Sequence, residues 1–190
     1  MAESFIREVA HRIFAAEFKE SNLVVKEGNE QYSPQYLITP TGAKVNRMFL
    51  VGTLTEKEDV GTEAEFWRSR IVDPTGTFFV TAGKYQPDAA QVLARTNPPE
   101  YVAVIGKPSV YTTQEGNLLT SIRAETIQVV DAATRDRWVA DAAKHTVKRL
   151  EKLAGNDPAT VKAKEHYSTN VEAYKAMISQ ALESVKGTSS

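Results

Sequence analysis

From Ser4 to about Phe18 the apolar residues Phe5, Ile6, Val9, Ile13, Phe14 and Ala16 recur three and four positions apart, which puts them on one face of a helix. Glu3 or Ser4 stands where an N-cap belongs, and Ser21-Asn22 ends the pattern. Between residues 26 and 44 the period disappears. Gly28, Asn29, Pro34, Pro40 and Gly42 predict an extended arm there, whose apolar patch Tyr36-Leu37-Ile38 can lie along a sheet.

Residues 45–130 change to short β-rich runs. Val45 to Thr55 reads as a strand with Gly52 inside it. Phe66 to Val72 alternates, Asp73-Pro74-Thr75-Gly76 is a turn, and Thr77-Phe78-Phe79-Val80-Thr81 returns, so the pair predicts a β-hairpin. Pro87 to Arg95 is a short helix with Pro at its first position. Tyr101 to Gly106 reads as a buried strand, followed by a break at Pro108 and a turn at Gln114-Glu115-Gly116-Asn117. Leu118 to Arg123 and Thr126 to Val130 close the set. Five strands with a helix between the third and fourth is the layout of a small closed barrel of the oligonucleotide/oligosaccharide-binding (OB) type. Gly52 supports closure, because a tight barrel needs a sharp bend in its first strand.

From Asp131 the chain turns helical. Asp131 is a good N-cap for a helix to about Leu153, in which Val139, Ala143, Thr146, Leu150 and Leu153 step by four and three beside Trp138. Gly155-Asn156 stops it, and Asp157-Pro158 starts a second helix carrying Val171, Tyr174, Ile178, Leu182 and Val185 on one stripe. The expected organisation is mainly β: an N-terminal helix and arm (1–44), a five-stranded OB barrel (45–130) and a C-terminal helical assembly region (131–190). The C-terminal stripe has two readings. Either the helices pack on their own barrel, or they swap into a bundle with other subunits. On the second reading Trp138, Val139, Ala143, Thr146, Leu150 and Leu153 form the partner face, and truncation near residue 131 leaves a folded barrel.

Composition narrows the function. With 190 residues, 42% hydrophobic and 25% charged, the chain can bury a sizeable core, so collagen-like and disordered classes are excluded. Without cysteine there are no disulfides, thiol nucleophiles or Cys-based zinc sites. The N-terminus lacks the basic and apolar regions of a signal peptide, and nowhere do roughly 18 apolar residues run together. A cytoplasmic protein without a membrane span is the expectation. Enzyme motifs are absent, and His11, His145 and His166 lie singly in predicted helical segments, so neither catalysis nor a metal or cofactor is expected. A net charge of -1 provides no global field to attract nucleic acid.

The hairpin supplies a local surface instead. Alternation puts Phe66, Arg68, Arg70 and Val72 on one face and Trp67, Ser69 and Ile71 on the other. Two arginines are costly inside a barrel, so Trp67, Ile71, Phe78 and Val80 are expected in the core, and Phe66, Arg68, Arg70 and Phe79 outside. Aromatic rings beside guanidinium groups suit single-stranded nucleic acid, whose bases stack on the rings while cations hold phosphate. Lys84, Tyr85, Lys107, Tyr111, Arg123 and Arg47 are candidates for the same groove. The competing reading has Phe66 and Phe79 packed under the arm or the C-terminal helices. Residues 45–130 hold eight Lys and Arg against ten Asp and Glu, with Glu56, Glu58, Asp59, Glu63 and Glu65 crowded after the first strand. Phosphate binding is therefore expected to be modest and steeply salt-dependent, and the acidic loop suits a basic protein partner.

Several segments together resemble the archaeal replication protein A-associated proteins. They are Arg7-Glu8-Val9-Ala10-His11-Arg12, the arm from Leu37 to Arg47 and Val51-Gly52-Thr53-Leu54-Thr55-Glu56, then Trp67 to Phe78 around the Asp-Pro-Thr-Gly turn. Ala82-Gly83-Lys84-Tyr85-Gln86-Pro87, Pro98 to Pro108, and Asp131-Ala132-Ala133-Thr134-Arg135-Asp136-Arg137-Trp138 complete the match. The resemblance spans most of the first 150 residues and stops near residue 155. It implies an accessory OB-fold subunit that assembles with the main single-strand-binding subunit, a replication protein A-type protein, in replication, repair and recombination. By similarity to the middle subunit of eukaryotic replication protein A, the helix from Asp131 mediates assembly. Relatives can carry a Cys-based zinc finger on the partner subunit, and the absence of Cys here carries no zinc over. The alternatives are an assembly scaffold that does not touch DNA, and an OB module that binds structured RNA such as an anticodon loop.

Overall fold

The computed structural model describes residues 8–186. Residues 4–7 of the predicted first helix lie outside that range. The rest of it is mostly not helical: His11 bridges Met48 in parallel, and α1 spans only Ala15–Glu20. The backbone of His11 is held on both sides, its N–H donating to Arg47 O at 2.9 Å and its carbonyl accepting from Phe49 N–H at 3.0 Å. Of the described stripe positions, Ile13 and Phe14 are buried and Ala16 partly so, whereas Val9 is 75% exposed.

The arm folds into a small antiparallel sheet of β1 (Leu23–Lys26), β2 (Gln35–Ile38) and β3 (Lys44–Val45). The barrel follows: β4 (Met48–Asp59), β5 (Phe66–Asp73), β6 (Gly76–Gly83), α2 (Pro87–Arg95), β7 (Glu100–Thr112) and β8 (Leu118–Val129). It closes in the order β4-β5-β6-β8-β7, with β4 also pairing β7 and a short parallel seam joining β6 to β8 at Val80–Ile122 and Thr81–Arg123. The fold is an OB barrel.

Local chemistry explains the closure. A Cβ on Gly52 would lie 2.6 Å from the Val72 carbonyl oxygen, so only glycine lets β4 and β5 approach that closely. Three residues on, Thr55 is an extra residue in β4, with Leu54 opposite Ile71 but Glu56 opposite Arg70. The turn between β5 and β6 has only Pro74-Thr75 between paired Asp73 and Gly76. The two runs expected after Pro108 are one strand, interrupted only by the register shift at Glu125.

The barrel interior holds Leu50, Leu54, Ile71, Phe78, Val80, Val104 and Ile122. Trp67, expected there too, is only partly buried; Lys57 Nζ sits 5.3 Å above its ring. Ser69 is the buried neighbour instead, its Oγ donating to Val80 O at 2.8 Å. Phe18 meets Phe78 at 6.0 Å and brings α1 against the barrel. At the far end of the sequence, Asp131 caps α3 (Ala132–Lys152) by accepting from Thr134 N–H at 2.8 Å. The second helix is two: α4 (Pro158–Tyr167) and α5 (Val171–Lys186). Between them Ser168 adopts a left-handed φ of 48°, and Asn170 Oδ1 caps α5 by accepting from Ala173 N–H. Tyr167 ties α4 to the arm, its hydroxyl accepting from Asn22 and Leu23 N–H and donating to Ile38 O.

Trp138, Val139, Ala143, Thr146, Leu150 and Leu153 are all buried within this chain. Trp138 stands edge-on to Phe14 at 5.6 Å, and its indole N–H donates to Phe49 O at 2.9 Å. The stripe expected as a partner face thus packs on its own barrel and arm, the other of its two readings. One hydrophobic core runs without interruption from Phe14 through Leu50 to Trp138 and Ile178.

Candidate nucleic-acid interface

The outward positions of the barrel follow from strand register. On β5, Phe66, Arg68 and Arg70 point away from the core, opposite Gly83, Thr81 and Phe79 of β6. Thr81 then neighbours Arg123 of β8, which is directly opposite Lys107 of β7. Two positions along the ribbon, Ser121 faces Ser109, and Leu119 then faces Tyr111. All of these except Gly83 and Lys107 line a groove of about 1920 Å³ floored by β5, β6 and β8, with α1 as one wall and the tip of the β7–β8 ribbon as another. At Phe66 and Arg123 it meets a smaller cleft of about 880 Å³ that contains Lys84, Tyr85 and Lys107.

The structure therefore gathers Phe66, Arg68, Arg70, Phe79, Tyr111 and Arg123 in the groove, and Lys84, Tyr85 and Lys107 in the cleft that joins it. Phe66 and Phe79 are 43% and 41% exposed, so neither is covered by the arm or the C-terminal helices. Phe66 lies over Gly83, where a Cβ would come within 2.9 Å of the ring. Arg70 approaches the Phe79 ring at 5.5 Å, and Lys84 the Tyr85 ring at 5.0 Å.

Arg47 is the exception. Its guanidinium donates to Glu125 at 2.8 Å, is largely covered, and lines neither cavity. Its position just before β4 places it beside the His11 bridge. Conversely, Leu118 and Leu119 were not expected at the site, yet both are exposed and line the groove. The apolar pair at the start of a strand was their only signal in the sequence.

Electrostatics divide the cations into two sets. The extra residue at Thr55 slides Glu56 and Glu58 opposite Arg70 and Arg68, and ion pairs form at 3.4 and 3.5 Å. Lys57 is also engaged, donating at 2.8 Å to the carbonyls of Leu93 and Ala94 at the C-terminus of α2. Among the described residues, no carboxylate lies within ion-pair distance of Lys84, Lys107 or Arg123. At the rim, Asp59 accepts from the N–H groups of Phe66 and Gly61, which holds its carboxyl below the usual carboxylate range.

Among the described residues no three His, Asp or Glu side chains gather as metal ligands, and no helix is long and apolar enough to cross a membrane. His11, in the bridge rather than a helix, and His145 of α3 both have their pKa values lowered, first by burial and then by neighbouring arginines. His166 of α4 contacts Asn22 Oδ1 at 2.7 Å.

No protein-family model matches the chain, and no curated protein matches it. Among solved structures, it is similar to the second single-stranded DNA-binding protein of Mycobacterium smegmatis, at 14% identity and a TM-score of 0.40, over 47% of this chain and 90% of that one. It is also similar to the mitochondrial single-stranded DNA-binding protein Rim1 of S. cerevisiae, at 17% identity and a TM-score of 0.36, over 45% of this chain and 94% of that one.

Proposed function

We propose that this chain binds single-stranded DNA, without catalysis, across the outward face of β5, β6, β8 and β7. The observation that carries the proposal is the joining of exposed rings with cations in one connected surface. Phe66, Phe79 and Tyr111 offer stacking platforms, while Lys84, Lys107 and Arg123 carry positive charge that no carboxylate among the described residues neutralises. The sequence resemblance supports the narrower proposal of an accessory subunit working beside a replication protein A-type single-strand-binding protein, in replication, repair and recombination.

The test is fluorescence anisotropy of a labelled oligo-dT titrated with the full chain across a salt series. Saturable binding that weakens with salt is expected, and Phe79→Ala should weaken it roughly 5- to 150-fold, the equivalent of about 1–3 kcal/mol for one stacked base. Absence of binding by the wild-type chain at low salt would overturn the proposal. Competition with RNA of the same sequence separates off the structured-RNA reading, since only an RNA reader exploits the 2′-hydroxyl.

One observation favours the assembly scaffold as a second reading. Both hairpin arginines are already neutralised by Glu56 and Glu58, and the acidic stretch that supplies them is exposed. A scaffold would hold a basic partner there. Co-elution with a replication protein A-type subunit that is lost in a charge-neutralised variant of Glu63 and Glu65 would establish that role, and unchanged co-elution would remove it.

A further inference from the structure

Resting on the single-strand reading, the geometry points to a division of labour within the groove. We propose that phosphate is held by Lys107 and Arg123, with Lys84 beside them, and that Glu56 and Glu58 act as built-in competitors for the hairpin arginines. The competitors occupy Arg70 and Arg68 as phosphate would, and set the affinity of the surface low.

The first half follows from register. Lys107 and Arg123 are directly opposed on antiparallel strands, so their Cα atoms are about 5 Å apart. Like charges so placed repel and destabilise the sheet. Both side chains are exposed, and neither forms an ion pair with any described residue. Glu125, the nearest acid in β8, is drawn away to Arg47 at 2.8 Å. Glu65 and Asp88 line the same cleft, and neither is within ion-pair distance of the two cations. An uncompensated cation pair at the junction of two connected cavities is an unfavourable arrangement that a bound anion relieves. Strand order extends it: Arg68, Thr81, Arg123 and Lys107 form one row across β5, β6, β8 and β7. Three strand spacings of about 4.8 Å make that row about 14 Å long, enough to follow a nucleic-acid backbone rather than a lone ion.

The second half follows from the irregularity in β4. Continued from Leu54–Ile71 without the extra residue, the register would set Thr55 opposite Arg70 and Lys57 opposite Arg68. With it, the two glutamates take those places. Both ion pairs are more than half exposed, so each contributes little to stability and opens easily. Their main consequence is at the surface, where Arg68 of the row and Arg70 beside Phe79 are neutralised until a phosphate displaces a carboxylate.

Four full-length chains titrated with labelled oligo-dT across a salt series test this: wild type, K107A/R123A, R68A/R70A and E56Q/E58Q. All six substituted residues are exposed, and circular dichroism checks that the variants fold. K107A/R123A should bind at least about tenfold more weakly, with the slope of log affinity against log salt shallower by about 1.4, two phosphates at about 0.7 each. R68A/R70A should lose less than that, and E56Q/E58Q should bind more tightly than wild type with a steeper slope. If wild type binds but R68A/R70A loses as much as K107A/R123A, or E56Q/E58Q gains nothing, the division of labour is wrong and the groove reading survives. If wild type does not bind at low salt, the groove reading itself has failed and takes this inference with it.

Discussion

Asp73, the last residue of β5, caps a helix that precedes it by 58 positions: its Oδ2 accepts the N–H of Ala15 at 2.8 Å. The six-residue α1 has no side-chain cap of its own, since Phe14 stands at its N-cap position. The same carboxylate uses Oδ1 to accept from Thr75 N–H, Thr75 Oγ1 and Gly76 N–H, which shapes the tight turn. Thr75 Oγ1 in turn accepts from Ala16 N–H at 3.0 Å. One buried acid thus joins the β5–β6 hairpin to the helix that walls the groove. Burial pushes its carboxyl up, against four hydrogen bonds that favour the charged form.

Replacing Asp73 with Ala removes a helix cap and leaves a buried N–H unsatisfied, which together cost about 2–4 kcal/mol. The expected outcome is a lower urea midpoint with an unchanged slope. A loss of less than about 0.5 kcal/mol would show that the cap is replaceable by water.

A second buried acid joins three parts of the chain. Glu17 is fully buried, accepts from Thr41 Oγ1 at 2.6 Å, and faces Arg149 at 3.4 Å. Arg149 also donates to Thr41 Oγ1 at 2.7 Å and Thr146 Oγ1 at 3.1 Å. Arg149→Met strands a buried carboxylate and should destabilise by about 3–5 kcal/mol. Adding Glu17→Gln should return much of that loss, because the uncompensated charge is gone. Denaturant unfolding of both singles and the double measures the coupling, and strict additivity would show that the pair does not act as a unit.

Trp138 joins α3 to the barrel through its indole hydrogen bond to Phe49 O. Its replacement by Ala should cost about 3–5 kcal/mol, since a fully buried ring and an indole hydrogen bond are both lost. Truncation before Ala132 uncovers the same surface around Phe14 and Phe49, and the expected product lacks a cooperative thermal transition. A truncated chain that melts cooperatively would show instead that the barrel folds independently, as expected from sequence.

Acid should act through the cap of α3. The side chain and backbone N–H of Thr134 both donate to Asp131 and hold its carboxyl below the usual range. A lowered folded value means the stabilisation is present above the unfolded carboxylate's pKa and is lost as pH falls through the folded one. The difference in Tm between wild type and Asp131→Ala should therefore be present at neutral pH and shrink towards zero in strong acid. A difference that stays constant with pH would mean that the charged cap is not its source.

Alternation along Phe66–Asp73 was enough to assign the hairpin's two faces, because side chains in a strand alternate whatever lies around them. Only Trp67 departs, and it does so because a neighbouring strand places Lys57 over it. Three- and four-residue spacing likewise marked Ile13 and Phe14 as buried, but it also marked Val9, which is exposed. It misassigned the conformation of residues 8–14, where pairing with β4 overrides local periodicity. The same limit applies to α3: periodicity shows that a stripe will be covered, and says nothing about whether the cover is another subunit or the chain's own Phe14 and Phe49.

By itself, then, the sequence determined what depends on a residue and its near neighbours: the turn at Asp73–Gly76, the caps at Asp131 and Asp157, the close approach at Gly52, and the outward rings and arginines. Tertiary structure alone decided which charges are free. Whether Arg68 meets a glutamate or a lysine depends on one extra residue at Thr55, and whether Lys107 meets Arg123 depends on the register of a long ribbon. Both are set by closing a barrel across distant strands, where a shift of one position exchanges every partner.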